Sequence, residues 1–304
     1  MDSIFVGISK ILYICKEPIS IVMKRILTVA AALLFCSVGF SQKIKIESQN
    51  PQDHVLSVMS FNIRHGLGMD RKVDLGRIAR EISLVGPDVV ALQEVDVETG
   101  RVGKADSPSE IARMAGGYQF CFASAIEFDG GKYGNAILSR EKPLSVTSID
   151  LPGTEEERVM LMAEFKDFYF CSLHLSLDSA SRVESCRKIA ATAKKYTREK
   201  DKPFYIAGDF NFTPNSLEMR IMAEHFGIVS SYQLHTFPSN RPNRTIDYIM
   251  IYKGGKGKKL LKDLEKGKIG VASWVQPESV ASDHRPIFAV FFKGEDFKTV
   301  RVSD

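Results

Sequence analysis

Cysteine is scarce: the 304 residues hold 5, and past residue 41 there remain Cys121, Cys171 and Cys186. An odd number without regular spacing excludes a disulfide framework, and no CxxC or HExxH spacing supports a zinc centre. Cys121 and Cys171 stand inside apolar strand-like runs, so buried thiols are expected there. Charge of one sign is not in excess either. The formal net charge is +4, of which residues 1–41 contribute Lys10, Lys16, Lys24 and Arg25 against Asp2 and Glu17, leaving +2. That balance gives no broad electrostatic footprint for duplex nucleic acid, although a local basic cleft stays open. Internal repeats and linkers are missing. A composition 44% hydrophobic and 26% charged excludes disorder and fibres.

Long apolar runs are missing as well, with one exception near the amino terminus. Met23-Lys24-Arg25 is a short positive region, and "ILTVAAALLFCSVGF" follows it. A span needs about 20 apolar residues, so these 15 fit a signal peptide better than an anchor. Gly39 and Ser41 supply small residues at −3 and −1, which puts Gln42 at the mature start. The expectation is an upstream segment and cleaved signal peptide over 1–41, export, and one catalytic domain over 42–304 without a membrane span.

From residue 55 onward, strands alternate with a few helices. "VLSVMSFNIR" is an apolar, β-rich run, Asp74 can cap a helix through "LGRIAREISLV", and "DVVALQEV" is a second buried strand. Strand, helix, strand is a βαβ unit with parallel neighbours. A short helix is expected over 109–115. Hairpins are expected around Asp129-Gly130-Gly131 and around Lys166-Asp167, and helices over 179–200 and after Asn215 or Ser216. "FYIAGDF", "TIDYIMIY" and "RPIFAVFF" complete the strands. Residues 253–268 hold seven lysines and read as a solvated loop or hairpin. The sum is a single α/β domain of two packed sheets with helices outside.

Five of these strands end in polar groups: Asn62, Glu94, His174, Asp209 with Asn211, and Asp247, while Asp283-His284 precedes the last strand. One buried polar residue is more often a satisfied structural hydrogen bond. Acids, amides and histidines gathered at strand ends call for a common reason, because loops there shape ligand clefts. Hydrolysis of a phosphate ester suits the set. Glu94 is a hard oxygen donor for Mg²⁺. Asp209 could deprotonate a water, and Asn62 and Asn211 could donate to phosphoryl oxygens. His174 and His284 offer proton transfer, with Asp247 and Asp283 available to orient them.

The ordered set "SFNIR", "ALQEVD", "YGNAILSR", "SLHLS", "AGDFN", "TIDYIM" and "SDHRP" resembles the endonuclease/exonuclease/phosphatase superfamily from about Val55 to Phe292. The resemblance implies a deoxyribonuclease-I-like four-layer α/β sandwich, two packed mixed β-sheets flanked by helices. It implies Glu94 as principal metal ligand, helped by Asn62 and Asp283, with Mn²⁺ as a substitute for Mg²⁺. Asp209 resembles the water-activating acid and Asn211 its phosphate-binding neighbour. His174 is similar to a phosphate-contacting residue with Asp247 behind it, and His284 to the catalytic histidine, polarised by Asp283. Tyr133 and Asn135 share that edge and could contact substrate or simply start a strand; Arg64, His65 and Arg158 are candidate phosphate contacts or surface ion pairs. The expected activity is a monomeric, exported phosphoesterase acting on a phosphodiester. A secreted nuclease is the alternative, with nucleic acid not favoured, and a non-catalytic binding module ranks last because Glu94, Asp209 and His284 are all present.

Overall fold

The computed structural model describes residues 54–293, so the expected signal peptide and Gln42 lie outside the described residues. Twelve strands among the described residues form two mixed six-stranded sheets. The first sheet runs β11-β12-β1-β2-β4-β3, with β1 His54–Asn62, β2 Val89–Val97, β3 Gln119–Phe128, β4 Gly131–Ser139, β11 Ile269–Val275 and β12 Ile287–Lys293. The second runs β5-β6-β7-β8-β10-β9, with β5 Ser145–Leu151, β6 Arg158–Glu164, β7 Tyr169–His174, β8 Phe204–Asp209, β9 Phe226–Ile228 and β10 Asp247–Tyr252. Each sheet has one parallel pair near its centre, β1 with β2 and β7 with β8, and antiparallel pairs around it.

Three apolar clusters divide the molecule into four layers. Val58, Ala91 and Ile137 from one sheet meet Leu161, Ala207 and Ile249 from the other between the two sheets. The outer face of the first sheet is covered by α1 Leu75–Val85 and α2 Ser107–Met114, through Ile78, Ile82 and Ile111. The outer face of the second is covered by α3 Ser179–Glu199 and α4 Leu217–His225, through Cys186, Ile189, Met219 and Met222. This is the deoxyribonuclease-I-like α/β sandwich.

The local signals explain most of the boundaries. Asp74 accepts from the Arg77 N–H at the start of α1, and left-handed Gly86 ends it. Capped by Asp106, α2 begins at Ser107, two residues earlier than the reading from Ser109, with Pro108 inside the first turn. Ser216 caps α4. The lysine-rich segment departs from expectation: Gly255–Glu265 is a helix, α5. Its Leu260, Leu261 and Leu264 pack against the core between the sheets while the lysines face outward. Apolar contact decides the conformation here, over two glycines, Gly255 and Gly257, that oppose a helix. No helix among the described residues is long and apolar enough to cross a membrane.

Candidate active site

The register of the second sheet builds half of the site. β7 and β8 pair His174 with Asp209, and β8 and β10 pair Asp209 with Asp247, so three neighbouring strands present titratable groups at one level. Gly208 makes the first pairing possible: a Cβ there would lie 2.0 Å from the Leu173 carbonyl oxygen. Asn211 follows in a left-handed conformation (φ 53°) that asparagine tolerates, and its N–H donates to Asp209 Oδ1 at 2.9 Å.

The first sheet supplies the other half. β1 ends at Asn62, and β2 carries a bulge opposite β4 between Leu92 and Val95. Glu94 sits in that bulge with φ 56°, which turns its side chain out of the strand's alternation. Asn62 Nδ2 joins the two halves, donating to Glu94 Oε1 at 2.9 Å and to Asp209 Oδ2 at 3.1 Å. Asn62 Oδ1 accepts from the Arg64 N–H at 3.1 Å, which fixes the orientation of the carboxamide. Asn62 is therefore a brace between carboxylates. That corrects the expectation of a phosphate-donating residue, since both amide hydrogens are already used; Oδ1, the atom a cation would meet, has only the Arg64 N–H as partner.

His284 comes from the loop before β12. Its Nδ1 lies 3.0 and 3.1 Å from the Asp247 carboxylate oxygens, and its Nε2 lies 3.5 Å from Asp209 Oδ2. Phe237 covers the ring, with centroids 4.7 Å apart. Asp247 thus orients His284, whereas the expectation gave it to His174. Asp283, expected to polarise His284, instead faces Arg64 Nε at 3.6 Å.

His174 Nε2 lies 3.1 Å from Asn211 Nδ2 and 3.5 Å from Asp209 Oδ2. Asn211 Nδ2 also donates to the Leu175 carbonyl at 2.9 Å. Both hydrogens of that amide have partners, so Asn211 positions His174 and is not the free phosphate donor that was expected. For Asn135 the structural alternative, a strand residue, describes what is seen. Asn135 is buried, and its Nδ2 donates to the Val159 carbonyl at 2.7 Å, bracing one sheet to the other.

Charges at this edge are held far from their ordinary states. Burial pushes the Asp209 carboxyl up to about 7, although His284 opposes the shift. Burial alone would lower His284; Asp247 and Asp209 outweigh it and push the imidazole up to about 10. Burial lowers His174 well below its usual value, with Arg158 and His284 adding to the effect, so it is neutral. Glu94 is raised by loss of water around its carboxyl, which the Asn62 hydrogen bond only partly offsets. Between about 7 and about 10, then, Asp209 is an anion against a His284 cation.

A cavity of about 160 Å³ opens beside Glu94, with Arg64, His65 and Tyr133 on its walls. His65 is held neutral near 4, chiefly by burial and by Arg101. Tyr133 is raised well above the usual phenol range by burial and by Glu94. Arg158 is buried and paired with Glu155 at 2.7 Å and Glu156 at 2.9 Å, so the ion-pair alternative describes it. The sequence reading had no signal for Glu155, which also accepts from Ser176 Oγ and the Leu177 N–H and so ties its loop to the end of β7. It also missed Asp96, fully buried and bidentate to Arg101. The alternation of β2 past Glu94 could have flagged an inward carboxylate needing a partner.

Hard carboxylate oxygens suit a divalent cation. Glu94 Oε2 makes no hydrogen bond among the described residues, and the Asp283 charge acts on Glu94 from nearby. That donor chemistry fits Mg²⁺ or Mn²⁺. Asp209, Asp247 and His284 also have ligand atoms within 4.8 Å of one another. Both ring nitrogens of His284 already face those carboxylates, however, so a hydrogen-bonded relay accounts for that group.

A buried carboxylate beside an imidazole–carboxylate pair, on a site able to hold a divalent cation, is the equipment of a metal-dependent phosphoester hydrolase. The chain belongs to the Endonuclease/Exonuclease/phosphatase family, whose profile matches residues 59–284. Members of that family are divalent-metal-dependent phosphoester hydrolases. No curated protein sequence matches the chain. Many solved structures are similar to it, among them the following three. A Bacteroides thetaiotaomicron mannosyl-6-phosphatase is 18% identical over 78% of this chain and 99% of its own, with TM-score 0.61. An endonuclease/exonuclease/phosphatase from Beutenbergia cavernae is 20% identical over 79% of this chain and 72% of its own, at 0.57. The human Nocturnin catalytic domain is 21% identical over 78% of this chain and 93% of its own, at 0.58.

Proposed function

We propose that the protein is an exported, Mg²⁺-dependent phosphodiesterase in which Asp209 activates a water for attack on phosphorus. The observation that carries the reading is the placing of Asp209 Oδ2 among Asn62, His174 and His284, at 3.1, 3.5 and 3.5 Å. Burial makes its carboxylate a stronger base than an ordinary aspartate, near the value that suits general-base work at neutral pH. His284, held cationic by Asp247, faces the charge that grows on the phosphoryl oxygens. Neutral His174, fixed by Asn211, offers its position to substrate without adding charge. Glu94 and Asp283 would hold the cation, which when bound supplies Lewis-acid withdrawal of charge from the phosphate.

The choice of a diester follows the sequence resemblance: with the divalent cation counted, Asp209, Asp247, Glu94 and Asp283 are balanced by His284, Arg64 and the cation, and the edge accepts either ester. The signal sequence over residues 23–41 supports export, and the near-neutral charge weighs against nucleic acid. Assays with bis-p-nitrophenyl phosphate, p-nitrophenyl phosphate, DNA and sphingomyelin test the reading in Mg²⁺. The expected result is turnover of the diester exceeding that of the monoester. DNA cleavage that dominates and weakens steeply with salt would move the reading to the nuclease.

A further inference from the structure

The cavity shares Glu94 with the candidate site, so its lining bears on what a phosphate held at Glu94 is attached to. Its charges cancel. Arg101 is already matched by Asp96, Nε to Oδ2 at 2.6 Å and Nη2 to Oδ1 at 2.8 Å. Arg64 faces Asp283, and the walls carry the carboxylates of Glu94 and Glu156. A second phosphate entering here meets as much repulsion as attraction.

Its hydrogen-bonding groups are mixed. Arg64 Nη1 and Nη2, Arg101 Nη1, Glu94 Oε2 and Glu156 Oε2 make no hydrogen bond among the described residues, and the buried His65 Nδ1 lacks a partner too, which leaves donors and acceptors mixed on the same cavity. A hydroxyl group both donates and accepts, and answers both. The apolar part of the wall is Ile126 with two aromatic rings, Phe128 and Tyr133, whose centroids are 6.4 Å apart. The Arg101 guanidinium lies 4.3 Å from one centroid and 5.4 Å from the other. It already covers ring surface that a nucleobase would need for full stacking. The C–H edge of a saturated ring needs less.

We propose that this cavity receives the alcohol arm of the substrate as a neutral, hydroxyl-bearing ring, a sugar or comparable cyclic polyol. The proposal rests on the phosphoesterase reading for the position of the phosphate and goes beyond it in naming the group the ester carries.

The test compares three esters with one leaving group: methyl p-nitrophenyl phosphate, the 6-(p-nitrophenyl phosphate) of methyl glucoside, and thymidine 5′-(p-nitrophenyl phosphate). The glucoside ester is expected to exceed the methyl ester about tenfold in kcat/KM, mostly through KM, and to exceed the nucleoside ester. Phe128→Ala and Glu156→Gln should each bring the glucoside-to-methyl ratio close to one. Equal values in the unmodified protein, a nucleoside ester in front, or a ratio unmoved in both variants would overturn the proposal. Calorimetric titration of the Mg²⁺-loaded protein with methyl glucoside 6-phosphate and with methyl phosphate reads the cavity without turnover. Sugar-dependent binding with no hydrolysis of any ester would overturn the phosphoesterase reading and uphold the cavity's occupant; hydrolysis without sugar preference would do the reverse.

Discussion

At the scale of single residues, the account turns on who faces His284. Asp247 lies 3.0 Å from its Nδ1, whereas Asp283 belongs to Arg64. The pH profile follows from the two shifted groups. Asp209 must be ionised to take a proton, so kcat/KM should rise with pH through about 7. His284 acts as a cation, so the rate should fall above about 10. Asp247→Asn removes the foremost charge raising His284, and the alkaline limb should move down by about 1–3 pH units. Asp283→Asn should move that limb less and raise the Mg²⁺ concentration needed for half-maximal rate. A pH-rate series of both variants checks the pair, and an alkaline limb displaced by Asp283→Asn alone would reverse the assignment. The identities of these residues were legible in the sequence, because carboxylates, amides and histidines ended five apolar strands. Their partners were not. Asn62 and Asn211 looked like substrate donors, and only geometry shows their amide hydrogens spent, on Glu94 and Asp209 and on His174 and Leu175, with one of Asn135's on Val159.

At the scale of elements, caps and close approaches fix the strands and helices that hold the site. Asp74 caps α1, and its own N–H donates to the Gly66 carbonyl in the loop after β1. Asp74→Ala should lower unfolding free energy by about 1 kcal/mol in urea denaturation, with an effect on kcat far smaller than that of Asp209→Asn. Gly208 is a different case, because β7 passes so close that a methyl group meets the Leu173 carbonyl. Gly208→Ala should cost on the order of 3 kcal/mol and reduce turnover as His174 and Asp209 lose their register. Helices with a cap and a stop, such as α1, could be read from the sequence nearly to the residue. α5 could not, because its lysines and glycines hid the spacing of Leu260, Leu261 and Leu264. The weakly patterned strands β5 and β11 escaped for a related reason: half-exposed edge strands show little apolar alternation.

At the scale of the whole molecule, the site exists because two sheets meet at one edge. Gln93 Nε2 donates to Ser172 Oγ at 3.2 Å, and Ser172 Oγ donates to the Leu92 carbonyl at 3.0 Å, fastening the centres of the sheets just behind the site. Asp209, the proposed general base, comes from one sheet, and Glu94, the proposed metal carboxylate, from the other. Chelation should therefore abolish turnover without unfolding the protein, with circular dichroism unchanged in EDTA and activity restored by Mg²⁺ or Mn²⁺. Amino-terminal sequencing of exported protein should begin at Gln42. The most direct test of the central claim is the rate of Asp209→Asn on bis-p-nitrophenyl phosphate in saturating Mg²⁺, beside the unmodified protein. The account predicts a loss of about 10³-fold in kcat/KM with thermal stability retained. A variant that folds and keeps a tenth or more of the activity (about 1.4 kcal/mol of lost barrier reduction at most) would contradict it.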